Sequence, residues 1–495
     1  MISIKFEYGD LSSLRGQSNL AVYFVNKDDN LRTGLRTLAE KFEVELPQIA
    51  QDEIKGDISF IPRSGSPSRV LISVTDPGTK MTADYFRNYM ADLTAGFYKN
   101  TPDEVFVQLP EHTPFSLHFP SKEQLYLSLM EGMFLGVYKF DKYKSDKSAD
   151  KEVTVYLSGL IAEEFEGLSK IAEAVKEGVY FTRTLANEPA NVIYPESFIG
   201  RLQERYKDLP LEFTIFRKKE LEENNMGGIL AVGGGSSKEP ALCVVRYTPA
   251  ASGSGKHISL VGKGVTFDSG GISIKPPDNM GWMRADMAGA AVVAGTLLTA
   301  ALLGVEHQIT GVMPLAENML DGSSMRPGDI VITASGKSIE VDNTDAEGRM
   351  ILADALHYAG LQKPDQIIDL ATLTGACAVA LGLTVAGLFT KDETLAADLY
   401  NSGLHTYERV WRLPMWDEYH TYNSSDVADV KNVGGRYGGA ITAAKFLENF
   451  VDSSIPWAHI DIAAPSMMNS HNNYQKTYMT GFGVRLLTDY LRRLK

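Results

Sequence analysis

Two loops of this chain set charged residues into otherwise apolar, glycine-rich sequence at the ends of predicted strands. In VGKGVTFDSGGISIKPPDNMGWMRADMAGAA, a strand over 257–262 runs into a segment holding Lys263, Asp268, Lys275 and Asp286. In SIEVDNTDAEGRMILADAL, a second strand ends in Asp345, Glu347 and Arg349. Ligands of open α/β sheets bind beyond the carboxyl ends of strands, so both loops can face one crevice. Asp345, Glu347 and Arg349 are spaced by two, and in an extended chain all three side chains point to the same side. Together with Asp268 and Asp286 this gives four carboxylates, whose mutual repulsion in a shielded crevice is costly unless cations neutralise it. Two divalent metals would do so. A carboxylate-rich site suits Mg, Mn or Zn, and a pair of such ions is a device of hydrolysis.

Each residue also has a plainer reading. Thr344-Asp345-Ala346-Glu347 fits a helix capping box ahead of a helix over 348–360. Asp286 can cap the helix after it, Asp268-Ser-Gly-Gly can be a turn, and Lys263 and Lys275 can be solvated surface lysines. Other motifs fail outright. VGKGVTF has Phe267 where a dinucleotide fingerprint needs glycine, SGSGKH lacks the first glycine and the final Ser or Thr of a phosphate loop, and HExxH is absent. None of the nine histidines shows a paired metal-ligand spacing. Cys243 and Cys377 stand far apart, which makes no disulfide framework and suits a reducing compartment.

The elements that must hold these loops follow from hydrophobic periodicity. LAVYFVN, DISFIP, RVLISVT, EVFVQLP and VTVYLSGL alternate with helical patterns in the first third, and ALCVVRY, HISLVGKGV, QITGVMPLA, DIVITAS, QIIDLATLT and WAHIDIAA do so later. The fold class is therefore α/β, with two domains that are each a helix-flanked, mostly parallel (mixed) sheet, the C-terminal one, which carries both charged loops, being larger. The expected boundaries are 1–163 for the first domain, 164–188 for a connecting helix ended by the prolines of NEPANVIYPESF, and 189–495 for the second. Two long uncharged stretches, Met287 to Val305 and Leu370 to Thr390, are expected as buried core rather than membrane spans. The start, MISIKFEYGDLSSLRG, lacks a secretory pattern, and a cytoplasmic location is expected. With 62 acidic against 48 basic residues and a formal net charge of −14, the 495-residue chain has no overall basic field to attract nucleic acid or anionic lipid.

At this point the sequence resembles the leucyl aminopeptidase (cytosol aminopeptidase) family of di-metal enzymes. NTDAEGRM at 343–350 matches the family signature, and VGKGVTFDSGGISIKP at 261–276, followed by DMAGAA at 286–291, matches its metal loop. NEPANVIYP, GGAITAAKFL and TGFGVRLL extend the resemblance from about residue 180 to the C-terminus.

The resemblance implies that Asp268, Asp345 and Glu347 hold one readily exchanged ion, and that Lys263, Asp268, Asp286 and Glu347 hold a second more tightly. Lys275 and Arg349 would be catalytic. A water made acidic by two dications would attack the first peptide carbonyl, releasing one N-terminal residue, with bicarbonate held by Arg349 as proton acceptor. Met283, Thr372 and Gly375 match positions lining the pocket for the first side chain, and suggest Leu or Met with broad tolerance. Arg284 departs from the pattern, standing where lysine is expected. A homohexamer is also implied. Three competing readings are a dipeptidase acting on substrates such as Cys-Gly, a DNA-binding second role, and a non-catalytic metal scaffold. The acidic excess within residues 1–150 argues against the second, and the intact Lys275 and Arg349 against the third.

Overall fold

Strands in the first third follow period-two burial. The computed structural model describes residues 2–27, 31–44, 56–78, 81–146, 150–250, 255–468, 473–476 and 478–495. Its opening segment ISIKFEY buries Ile2, Ile4 and Phe6, turns Ser3 and Lys5 outward, and forms β1 (Ile2–Tyr8). This strand was not among those expected. The others were: β2 (Asn19–Asn26), β3 (Ile58–Phe60), β4 (Arg69–Thr75), β5 (Glu104–Gln108) and β6 (Lys151–Ser158). They form one sheet in the order β1-β6-β5-β2-β4-β3, parallel throughout except for β3. Between them run α1 (Leu31–Lys41), α2 (Tyr85–Ala95) and α3 (Lys122–Val137). Ser121 caps α3 by accepting the Gln124 N–H at 3.1 Å.

The chain divides into two compact units, Met1–Lys176 with His471–Lys476, and Glu177–Ser470 with Thr477–Lys495. The long helix α4 (Ala162–Asn187) spans the division in sequence. In the second unit it is followed by α5 (Pro195–Tyr206), β7 (Leu211–Phe216), α6 (Lys218–Glu223), α7 (Gly227–Gly233), β8 (Ala241–Tyr247), β9 (His257–Gly262) and β10 (Gly264–Asp268). Next come α8 (Ala288–Leu303), β11 (Gln308–Asn318), β12 (Ile330–Ile332), β13 (Ser338–Glu340), α9 (Gly348–Leu361), β14 (Gln366–Ala371) and α10 (Gly375–Leu381). The unit closes with β15 (Ala386–Phe389), α11 (Glu393–Thr406), β16 (Val410–Arg412), β17 (Val430–Lys431), α12 (Gly439–Glu448), β18 (Trp457–Asp461) and α13 (Val484–Arg493).

The main sheet of this unit has the order β16-β15-β18-β14-β9-β11-β8-β7, with β10 beside the far end of β11. Its centre, β18-β14-β9-β11, is parallel, and antiparallel pairs flank it, so the sheet is mixed as expected. Helices cover it, and strands such as QIIDLA are buried at every position.

Of the two uncharged stretches, the first is a core helix. Met280–Leu303 is long and apolar enough to cross a membrane, yet 83% of its most apolar window is buried within the protein. The second stretch corrects the expectation. Its ends are buried as β14 and β15, but between them α10 lies at the surface, with Val379 89% and Leu383 64% exposed. Its glycines and alanines do not report burial, because a short surface turn of helix uses the same residues.

The start of α8 meets the sheet backbone to backbone. A Cβ on Gly289 would lie 2.1 Å from the Leu370 carbonyl oxygen, and one on Gly262 would lie 2.5 Å from the Gly289 oxygen. Glycine at both positions thus lets the helix settle against the ends of β9 and β14. That contact carries Asp286, just before α8, to the carboxyl edge of the sheet.

Candidate active site

Lys263 follows β9 directly. Its backbone is fixed on both sides, the N–H donating to the Leu370 carbonyl at 3.1 Å and the C=O accepting from the Ala290 N–H at 2.8 Å. The side chain is 3% exposed, and Nζ lies 2.7 Å from Asp286 Oδ2, 2.9 Å from Glu347 Oε1 and 2.9 Å from the Thr372 carbonyl oxygen. It is no surface lysine. Burial works against its charge, but Asp286, Glu347 and Asp268 outweigh that and hold its pKa above the ordinary lysine value.

Asp268 ends β10, paired in register with Asn318 at the end of β11. Its Oδ1 accepts from Asn318 Nδ2 at 2.8 Å and from the Gly270 N–H at 2.9 Å, so the expected turn does form. Gly270 and Gly271 turn with φ of 87° and 67°, which only glycine adopts readily. The turn brings Lys275 Nζ to 2.8 Å from Asp268 Oδ2 and 2.6 Å from Asp345 Oδ1. Burial lowers the Lys275 pKa, whereas Asp268 and Glu347 raise it, and the net effect is upward.

The segment carrying Asp345, Glu347 and Arg349 is not extended, which corrects the sequence expectation. β13 stops at Glu340, 342–346 form a turn, and α9 begins at Gly348. Thr344 locks the turn, donating from Oγ1 to the Gly270 carbonyl at 2.6 Å and accepting from the Ser273 N–H at 2.8 Å. The hydroxyl is therefore committed to the other loop and forms no capping box; the N-cap position is Glu347, which makes no capping bond. Asp286 does not cap α8 either, since Met287 occupies the N-cap position of that helix. Turn and helix start nevertheless deliver Asp345 and Glu347 to the same place: one oxygen from each of Asp268, Asp345 and Glu347 lies within 4.8 Å of the others.

Four carboxylates thus meet two ammonium groups, leaving two negative charges in a largely buried cluster. Burial raises the pKa of Asp268, Asp286 and Asp345, with like charges adding to it. Glu347 is 1% exposed, and its Oε2 has no partner among the described residues. A buried carboxylate oxygen without a donor is costly, and a divalent cation fits that deficit. A second acid group, Asp417, His420 and Glu448, has a buried carboxylate oxygen too, but no charge deficit, since Glu448 Oε2 meets the Lys445 ammonium and lies 3.1 Å from His420 Nε2. There Lys391 and Lys445 match the two carboxylates, and Asp417 is exposed.

Arg349 lies in the first turn of α9. Its Nη1 donates to the Asn432 carbonyl at 2.6 Å, and its Nε is buried with no hydrogen-bond partner among the described residues. Burial lowers its pKa to about 10, which still leaves it charged at neutral pH. Thr372 touches the cluster twice, through its carbonyl and through Oγ1, which donates to Asp286 Oδ1 at 2.8 Å. Met283 is half-buried on the turn before Asp286, and Gly375 is exposed at the start of α10. The sequence reading missed Asn318, Thr344 and Asn432 as supports. Asn318 carried a signal, being a polar residue at the end of an apolar strand, whereas Asn432 sits in a loop with none.

The fold and this cluster define a metal-dependent peptide hydrolase, and comparison with known proteins agrees. Residues 180–488 match the model of the cytosol aminopeptidase family, catalytic domain. A "Probable cytosol aminopeptidase" of Chlorobaculum tepidum is 41% identical over 96% of this chain and 97% of its own length. One of Chlorobium limicola is 47% identical over 74% of this chain and 75% of its own. Among solved structures, a tomato leucine aminopeptidase mutant superposes with a TM-score of 0.85 at 30% identity, covering 100% of this chain and 97% of that one. The bottromycin maturation enzyme BotP, in complex with Mn, gives 0.82 at 31% identity, covering 97% and 100%. The chain belongs to the cytosol aminopeptidase family. It is a metal-dependent aminopeptidase.

Proposed function

We propose that the enzyme releases N-terminal amino acids from peptides at two divalent ions. Asp268, Asp345 and Glu347 hold one ion, and Lys263, Asp268, Asp286 and Glu347 hold the other. The observation that carries this reading is the buried, under-neutralised carboxylate cluster with its donorless Glu347 oxygen. Zn, Mn and Mg all suit such ligands, and one structural relative is described with Mn. Lys263 binds as a neutral amine, so an ion takes over the charge balance that its ammonium supplies in the structure. Two dications there would supply Lewis acidity for hydrolysis of the amide.

The chain's own residues do the rest. Lys275 contacts Asp268 and Asp345, carboxylates other than the two that Lys263 meets, and its retained positive charge stabilises the oxyanion that develops on the peptide carbonyl. With Asp268, Asp286, Asp345 and Glu347 committed to metal, none of the cluster's carboxylates is left to act as general base. The Arg349 guanidinium and the backbone N–H groups at the start of α9 would hold a bicarbonate ion, which would supply the proton acceptor. Met283, Thr372 and Gly375 line the pocket for the first side chain, which takes Leu and Met best and tolerates others, since such pockets discriminate by only about 1–3 kcal/mol per methylene. The enzyme works as a cytoplasmic homohexamer, with residues 189–495 forming the catalytic domain and 1–163 serving assembly.

Release of p-nitroaniline from Leu-p-nitroanilide with added Mn or Zn tests the reading. Turnover by the wild type and its loss in Asp345→Ala are expected; an inactive wild type, or a fully active Asp345→Ala, overturns it. Faster cleavage of free dipeptides such as Cys-Gly than of longer peptides would make it a dipeptidase instead.

A further inference from the structure

Beyond the ligands themselves, a buried acid at the end of β18 controls where they stand. We propose that Asp461 is a positioning residue of the active site, acting on Lys263 and Asp286 through the 372–374 segment. The inference rests on reading those two residues as metal ligands. Asp461 is fully buried and touches none of the proposed ligands, and a buried carboxylate persists only where donors surround it. Its Oδ1 accepts from the Leu373 N–H at 3.2 Å and the Ala463 N–H at 3.1 Å, and its Oδ2 accepts from Thr374 Oγ1 at 2.6 Å. Two of the three donors thus belong to the link between β14 and α10.

The preceding residue of that link is Thr372, whose carbonyl and hydroxyl hold Lys263 Nζ and Asp286 Oδ1. One short peptide segment is gripped by Asp461 on one side and by the two proposed ligands on the other. Moving 373–374 rotates the peptide group that carries the Thr372 carbonyl. The anchor itself is rigid. Asp461 is paired in register with Ala371, and the Ile462 N–H donates to the Ala371 carbonyl at 2.8 Å. Two residues back, Asp369 accepts from Trp457 Nε1 at 2.7 Å and lies 2.6 Å from His459 Nδ1, tying β14 to β18 through side chains. Thr374 Oγ1 also accepts the Cys377 N–H at 3.1 Å, so the same hydroxyl fixes the start of α10, next to Gly375.

The test uses full-length protein stripped of metal, with Mn retention measured by equilibrium dialysis and kcat and KM measured on Leu-p-nitroanilide. Thr374→Val removes the hydroxyl, Thr374→Ser keeps it, and Asp461→Asn removes the charge. Thr374→Val and Asp461→Asn are expected to weaken retention of the more tightly held ion about tenfold and to lower kcat, as loss of a ligand's support does. Thr374→Ser is expected within twofold of wild type in both. If Asp461→Asn does not fold, the two Thr374 variants decide alone. Mn retention within twofold of wild type in Thr374→Val, or a Thr374→Ser as impaired as Thr374→Val, overturns the inference. A wild type that neither retains Mn nor cleaves the substrate overturns the metal reading itself; an active wild type with unaltered variants overturns only the role of Asp461.

Discussion

The side chain of Lys263 lies across the α-carbon of Gly348: a Cβ there would sit 2.4 Å from Lys263 Cε and 2.6 Å from Nζ. The first residue of α9 is thus glycine because the lysine of the other loop occupies the space a side chain would take. The clash falls on the mobile end of a lysine rather than on backbone, so Gly348→Ala is expected to fold. Its cost falls on Nζ, which moves away from Asp286 and Glu347. Displacement of about 1 Å in an active site can cost roughly a hundredfold in rate. Leu-p-nitroanilide kinetics should show a loss of that order in Gly348→Ala, with a thermal midpoint close to wild type; a variant of wild-type activity removes the constraint.

Glu347 has opposite effects on stability with and without metal. In metal-free protein, among the described residues, its buried Oε2 lacks a donor and Oε1 meets only the shared Lys263 ammonium. Glu347→Gln removes this charge and is expected to unfold at a higher urea concentration than metal-free wild type. Adding Mn should reverse the order. An ion present at a hundred times its Kd stabilises the wild type by about 2.7 kcal/mol, whereas the variant lacks a shared ligand. Urea curves at zero and saturating Mn check both halves, and unchanged ranking counts against Glu347 as a ligand.

How far the site was legible depended on whether residue type or backbone conformation was being read. Acidic and basic side chains in apolar, glycine-rich sequence are conspicuous, and Lys263, Asp268, Lys275, Asp286, Asp345 and Glu347 do come together. The route was not legible. Spacing by two suggested an extended 345–349, but Thr344 is claimed by Gly270 and Ser273, partners more than seventy residues away, so the chain turns there and enters α9. Local pattern cannot report a distant partner. The same holds for α10: small residues read as core, and only the tertiary structure shows Val379 facing outward. Conversely, the sheet was legible because strands buried on both faces need continuous β-branched and apolar runs. β1, half polar, carried a weaker signal.

Lys275 separates chemistry from metal binding. It contacts Asp268 and Asp345 as an ammonium group, and its charge is reinforced by them. Lys275→Ala therefore leaves every proposed ligand in place. Loss of one oxyanion-stabilising group commonly costs about 10²- to 10³-fold in kcat, and a loss of that size is expected with KM and Mn retention little changed. A variant that instead loses Mn would make Lys275 part of the metal site.

A second helix-borne acid makes stability depend on pH. Asp354 lies on α9, fully buried, with Oδ1 accepting the Ala334 N–H at 2.8 Å and Oδ2 the Ile229 N–H at 2.9 Å. It thereby binds the start of α7 and the turn after β12 to the helix that carries Arg349. Burial pushes its pKa up to about 7, against the lowering effect of those N–H groups. In the unfolded chain an aspartate titrates near 3.9. Between the two values the folded protein holds one proton more than the unfolded chain, so this contribution is complete at low pH and is lost as pH rises toward 7. The slope is about 1.4 kcal/mol per pH unit, flattening above the folded value. Asp354→Asn cannot titrate, and its amide meets one of the two N–H donors with another donor, so it is less stable than wild type at pH 5. From pH 5 to pH 7 the gap should narrow by roughly 2–3 kcal/mol, as measured by urea unfolding of the metal-free proteins. A gap independent of pH means that Asp354 stays ionised in the fold, with its N–H donors outweighing burial.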